Sequence, residues 1–366
     1  MYLTVSTPFP PALTSMRSVL RLVILSAVAA APLAAQLDSA TIAGFRWRNI
    51  GLANHQGRVV DVAGIPWPSR TFYVSSAGGG MFKTTNAGTT YRAVFENERV
   101  SSGGMIGIAP SDTSTVYYGT GEPNSRNSMS PGAGMYKTAN GGRTWEFIGL
   151  KETQHIGRVV VDPSNKDIVY VAALGAAWAT NKERGLYKTV DGGKTWQLKK
   201  FINDSTGFVD VALDPRDSKV VWAASYQRLR GPYFQYSGGK GSALWKSTDA
   251  GETWTEVKGG GLPETTKGRI GIAIAASNAD VMYLMMEADT LVSPVVEPKK
   301  DTKKDPKAAP VKDPKVKAQK SPSGLYRSAD GGKTWTKTSD ENVRPFYYSQ
   351  VRVAPNNPDR VFWSST

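Results

Sequence analysis

Apolar and polar residues alternate along this chain in short runs, separated by turn residues. Leu186-Tyr187-Lys188-Thr189 and Arg158-Val159-Val160-Val161 are typical. Such alternation has the period-two pattern of a half-buried strand. The runs recur in a fixed order. An eleven-position template reads apolar, aromatic, Lys/Arg, Ser/Thr, any, Asp/Asn, Gly/Ala, Gly, any, Thr, Trp/Tyr. It occurs five times, at Met81–Tyr91, Met135–Trp145, Leu186–Trp196, Leu244–Trp254 and Leu325–Trp335. Its Asp/Asn positions are Asn86, Asn140, Asp191, Asp249 and Asp330.

The template predicts a hairpin. Asp-Gly-Gly supplies a turn that needs positive φ. The Asp or Asn side chain can accept N–H bonds within that turn, and the Ser/Thr hydroxyl can join them. These repeated acidic residues are therefore read as structural rather than catalytic. A second hairpin lies between the boxes, as at Arg158–Ala173, Val209–Trp222, Ile106–Tyr118, Ile270–Leu284 and Val351–Trp363. Four antiparallel strands in each repeat of about 50 residues describe a β-propeller blade. The expected class is all-β, with five whole blades and part of another. The sixth starts near Asn342 and stops after its second strand. Phe45–Leu52 resembles Thr144–Leu150, so it is expected to be the outer strand of the last blade. On this reading the chain is a fragment of a longer protein.

If the strands are lettered A to D from the axis outward, the boxes lie at the C–D turns. The D–A and B–C loops share the opposite face, where a rigid scaffold presents variable residues. The B–C loops Gly119–Ala133, Gly175–Gly185, Tyr226–Ala243 and Ala288–Ser323 carry Glu122, Asn124, Arg126, Asn127, Trp178, Glu183, Arg184, Arg228, Arg230 and Tyr233. The D–A loops repeat a motif, His55-Gln-Gly-Arg58 and His155-Ile-Gly-Arg158, with Gly268-Arg269 as a shorter version. Arg58, Arg158 and Arg269 could converge on an anion. Alternatively, each could bridge adjacent blades through carbonyls or acids.

The 366 residues include 45 Lys+Arg, 31 Asp+Glu, two His and no Cys, for a net charge of +14. Lacking Cys, the chain has no disulfide scaffold, thiol nucleophile or Cys zinc site. No metal or cofactor is implied. A Lys/Pro/Asp insert at 297–322, with nine Lys and four acids, carries +5 of that charge and is expected to be a disordered loop. Elsewhere no basic run interleaves with aromatics, which argues against nucleic acid as a partner. At the N-terminus, Arg17 and Arg21 precede apolar Leu22–Ala31 and small Ala34-Ala35. This predicts a signal peptide over 1–35, cleaved after Ala35, with Met16 a candidate start. The apolar stretch is too short for a stable membrane span. The mature propeller, 36–366, is expected to be periplasmic, cell-surface or secreted.

The five boxes resemble the Asp-box, or bacterial neuraminidase repeat. Sialidases, xyloglucan-active glucanases, sortilin-type receptors and the photosystem II stability/assembly factor share it. Gly119–Ser128 and Lys182–Lys188 resemble large exported bacterial proteins with a sortilin N-terminal-like propeller, often labelled glycosyl hydrolases. The resemblance implies the fold, but a fold hosts many functions. Sialidases would have Arg-Ile-Pro near the start. Here Arg58 precedes Val-Val and Gly64 precedes Ile65-Pro66, leaving Tyr347 or Tyr348 without a supporting pattern as nucleophile. Xyloglucan-active glucanases place an Asp before a Gly-Gly where this chain has Ala77, so one of two expected carboxylates is missing. Two main readings follow. One is an extracytoplasmic recognition module for a protein, peptide or glycan. The other is a glycoside hydrolase using Glu122 and Glu183. Assembly chaperoning, by analogy with the photosystem factor, is a third.

Overall fold

The computed structural model describes residues 57–289 and 321–364, all within one compact unit. Four of the five boxes close plain four-stranded antiparallel sheets. Blade one is β1 (Val59–Gly64), β2 (Phe72–Ser76), β3 (Gly80–Thr84) and β4 (Arg92–Ala93). Blade two is β5 (Gly103–Ile108), β6 (Val116–Thr120), β7 (Met135–Thr138) and β8 (Glu146–Phe147). Blade three is β9 (Ile156–Val161), β10 (Val169–Ala173), β11 (Gly185–Thr189) and β12 (Gln197–Lys200). Blade four departs from the expectation. Its β13 (Thr206–Asp214) pairs with a long β14 (Asp217–Arg230), which also carries a short fifth strand, β15 (Gln235–Ser237). Part of the segment read as a loop is thus a hairpin extension. β16 (Ala243–Ser247) and β17 (Thr255–Glu256) complete that blade. Blade five is β18 (Lys267–Ile274), β19 (Met282–Ala288), β20 (Gly324–Ser328) and β21 (Thr336–Ser339). A one-turn helix, α1 (Pro345–Tyr348), leads into the pair β22 (Val351–Ala354) and β23 (Asn357–Trp363). The leader, His55, the Phe45–Leu52 strand and most of the Lys/Pro insert lie outside the described residues.

The repeat explains how blades dock. The box cation lies over an aromatic ring from strand B of its own blade: Lys83 over Tyr73, Lys137 over Tyr117, Lys188 over Tyr170, Lys246 over Trp222 and Arg327 over Tyr283. Three of these lysines also reach the next box, where Lys83, Lys137 and Lys188 donate to the carbonyls of Gly141, Gly192 and Ala250. Two box tryptophans bond back to the preceding blade, whereas Trp254 Nε1 donates to Gly251 of its own box. Trp145 Nε1 donates to the Val94 carbonyl and Trp196 Nε1 to that of Ile148. One turn therefore links a blade to both neighbours, and the cation–π contacts add to it.

Within the box, Asp191 accepts bonds from Thr195 N, Thr195 Oγ1 and Thr189 Oγ1 at 2.9, 2.6 and 2.7 Å. The turn then needs two left-handed residues, Gly192 (φ 74°) and Gly193 (φ 93°). The bonds from Thr195 hold the Asp191 carboxyl well below the usual carboxylate range, and Asp249 and Asp330 are held likewise by Thr253 and Thr334. A depressed folded pKa stabilises above the unfolded value near ~4 and loses that contribution as pH falls. Acid unfolding followed by tryptophan fluorescence should therefore begin below about pH 4. A triple Asp→Asn variant at 191, 249 and 330 should be less stable than the wild type at neutral pH and should lose less stability as the pH falls below about 4, because its turn bonds do not titrate. Blades one and two already show that Asn is accepted there: Asn86 and Asn140 accept the same turn N–H bonds and donate to Thr90 and Thr144.

The six innermost strands line one central channel of about 450 Å³, bounded by residues such as Gly64, Ile108, Val161, Leu213, Ile274 and Val353. Those residues stand at the A–B end. The opposite mouth is covered by a loop.

Candidate functional site

The covering loop follows β6 and runs from Gly121 to Asn127. Glycine is required at its entry: Gly121 has φ 87°, and an added Cβ would collide with the Gln154 carbonyl. From there Glu122 to Ser125 are buried. Five blades hold this segment. From blade one, Arg58 Nε donates to Glu122 Oε1 at 2.9 Å and Nη2 donates to Oε2. From blade three, His155 Nδ1 lies 2.9 Å from the Glu122 carbonyl. A carbonyl only accepts, so Nδ1 carries the hydrogen and Nε2 is bare. From blade four, Arg228 Nη1 donates to the Pro123 carbonyl at 2.7 Å and to Ser125 Oγ at 3.3 Å. From the sixth, Gln350 Nε2 donates to Asn124 Oδ1 at 3.3 Å. The fifth connection is the loop's own blade two.

The Gly-Arg motif thus resolves as the bridging alternative. Arg58 joins blade one to blade two. Arg158 joins blade three to blade four, with Nε and Nη2 donating to the two oxygens of Asp210 at 2.7 and 3.4 Å. Arg269 joins blade five to the sixth, with Nη1 donating to the carbonyls of Phe346 and Tyr347. Glu122 likewise is fully buried with both oxygens held by Arg58. Glu183 is exposed, and Asn181 Nδ2 donates to its Oε2 at 3.3 Å.

Burial shapes the charges here. His155 is fully buried and its pKa falls to about 3, because burial and the guanidinium groups of Arg228 and Arg184 oppose protonation. Burial lowers Arg184 to about 10 and Arg228 to about 9. Arg184 is held by the Asn181, Ala176 and Ala179 carbonyls and Asn181 Oδ1 rather than by a carboxylate.

Further out the loops are open. Trp178, Phe234 and Tyr236 are partly exposed and Tyr233 is fully exposed. Arg230 joins the Trp178 loop to the β14–β15 hairpin. Its N–H donates to the Ala177 carbonyl at 2.8 Å, and its guanidinium stands 5.9 Å from the Trp178 ring. Nη2 donates to Asn127 and Nη1 to Gln235. Phe234 and Tyr236 sit 5.0 Å apart. Arg126, next to Asn127 in the chain, is half-buried, with no partner for Nε among the described residues.

Several residues of this layer escaped the sequence reading. Tyr226 donates to Ser237 Oγ at 2.6 Å, and Ser237 donates to Glu287 at 2.7 Å. Burial pushes the Glu287 carboxyl up. Asp61 and Asp210 accept the backbone N–H of Ile106 and Ile272 in the neighbouring innermost strands, at 3.0 and 2.9 Å. A β-bulge immediately before each, at Val59/Asp61 and Phe208/Asp210, re-aims these side chains. The available signal was an acid inside an apolar strand, Val-Val-Asp61-Val and Val-Asp210-Val.

The BNR/Asp-box repeat model matches residues 326–337, one of the five boxes whose turn geometry is described above. The chain is an Asp-box β-propeller. The Asp-box propeller is 26% identical over 248 residues to a xyloglucanase of Hypocrea jecorina (strain QM6a), covering 59% of this chain and 28% of the relative. It is 25% identical over 268 residues to the oligoxyloglucan-reducing end-specific xyloglucanase of Emericella nidulans, covering 62% and 30%. It thus spans less than a third of the length of these relatives. Among solved structures, the GH74 enzyme of Niastella koreensis superposes with TM-score 0.55 at 18% identity, over 84% of this chain and 44% of that one. That likeness establishes the fold. Among the described residues no helix is long and apolar enough to cross a membrane.

Proposed function

We propose that this propeller is an exported recognition module for a neutral polysaccharide of the xyloglucan type. The observation that carries the reading is a set of exposed aromatic side chains on two loops joined by the Arg230–Ala177 bond, Trp178 on one and Tyr233, Phe234 and Tyr236 on the other. Pyranose rings present a flat C–H face, and exposed aromatic rings with polar tips suit it. The curated relatives support the class of ligand, since both are named xyloglucanases. Recognition is favoured over cleavage because hydrolysis ordinarily needs two available carboxyl groups, and Glu122 is committed to Arg58.

Affinity gel electrophoresis in xyloglucan tests the proposal. The wild type should be retarded. Trp178→Ala combined with Tyr233→Ala should weaken binding by on the order of 10- to 100-fold. Because Tyr233 is fully exposed, Tyr233→Ala alone should leave the melting temperature within about a degree, which separates lost binding from lost fold. Absence of retardation in every neutral glucan would remove the reading. The hydrolase alternative is judged by reducing-sugar release. Release that disappears in Glu183→Gln would establish catalysis instead.

A further inference from the structure

Three arginines of the layer above the channel offer the same edge of the guanidinium, the one formed by Nε and Nη2. In Arg58 this edge grips the carboxylate of Glu122, and in Arg158 it grips that of Asp210. In Arg228 the same edge is buried, and neither Nε nor Nη2 has a partner among the described residues. Its orientation is fixed from the other side, because Nη1 donates to the Pro123 carbonyl and to Ser125. The groups whose field favours its charge are the Tyr226 hydroxyl and the Glu122 carboxylate, and both are engaged elsewhere, Tyr226 with Ser237 and Glu122 with Arg58. Nearby Arg184 and Arg269 add like charge instead of compensating, and they leave Nη1 and Nε unpartnered in turn.

Buried charges are ordinarily paired, since an uncompensated one is costly. A buried water would satisfy an N–H but would leave the charge. A planar oxyanion would do both, in the geometry that two other arginines of this layer already use. We propose that the Nε/Nη2 edge of Arg228 is a binding site for a small oxyanion with two oxygens side by side, enclosed beneath the Glu122–Ser125 loop. This site is separate from the exposed aromatic side chains, so neither proposal depends on the other.

Thermal unfolding in sodium formate, against sodium chloride at equal ionic strength, reads the site. Formate should raise the melting temperature of the wild type saturably, by about 5 °C at 100 times its dissociation constant. Chloride should not, and Arg228→Gln should lose the formate response. A second measurement covers the case in which Arg228→Gln does not fold. High-resolution crystals of the wild type soaked in formate should show planar three-atom density within hydrogen-bond distance of Arg228 Nε and Nη2. An equal formate response in wild type and Arg228→Gln, an equal response to chloride, or water alone at that edge would overturn the proposal.

Discussion

Replacing Arg58 by methionine should cost about 3–5 kcal/mol of stability, because it strands a buried carboxylate. The Glu122 side chain is 0% exposed, whereas that of Arg58 is 28% exposed. Methionine keeps much of the arginine stem's volume but cannot donate to either oxygen. The reverse change is expected to be milder. In Glu122→Gln the amide can still accept from Arg58, and the partly exposed guanidinium can turn some of its donors to water. Urea unfolding of the two single variants and the double variant measures this asymmetry. In the double variant no charge is left buried, so it should recover part of the Arg58→Met loss. A larger loss for Glu122→Gln than for Arg58→Met would contradict a structural clamp at this loop.

The clamp shows which parts of the molecule were legible in the sequence. The boxes were legible because their bonds are local. Asp191, Thr189 and Thr195 lie within a few residues of one another, so the chemistry of the turn is written in consecutive letters. The blade order followed from the repeat. What escaped was contact across blades. The tie between Gln350 and Asn124 joins residues 226 positions apart, and no local pattern encodes such a meeting. The same holds for the choice between anion capture and bridging at Arg58 and Arg158. The motif placed these arginines correctly at the entrance of the inner strands, but their partners depend on how adjacent blades turn against each other. The β14–β15 extension was missed for a different reason. Gly231, Pro232 and the aromatic run that follows have the composition of a loop, and pairing of Arg228–Arg230 with Gln235–Ser237 overrides it. Trp178 and Arg230 lie on separate loops in the sequence, and no local pattern shows that they meet.

The second large effect should come from Asp210. Oδ1 accepts Arg158 Nε at 2.7 Å and Val211 N at 2.9 Å, while Oδ2 accepts Ile272 N at 2.9 Å. One buried carboxylate therefore joins blade three, its own blade and blade five. Asp210→Ala leaves the Arg158 charge unpaired, which alone costs about 3–5 kcal/mol. It also orphans the Val211 and Ile272 N–H groups, each adding about 1–3 kcal/mol. Losses on that scale approach the whole stability of many domains, so the variant should unfold at low urea or fail to accumulate folded. Asp61 supplies the internal control. It occupies the equivalent bulged position and accepts Ile106 N at 3.0 Å, but its arginine, Arg352, stands 3.9 Å away and is 44% exposed. Asp61→Ala should therefore cost mainly the one orphaned N–H, about 1–3 kcal/mol. If the two variants lose equal stability in the same denaturation series, the buried charge of Arg158 is not what Asp210 compensates.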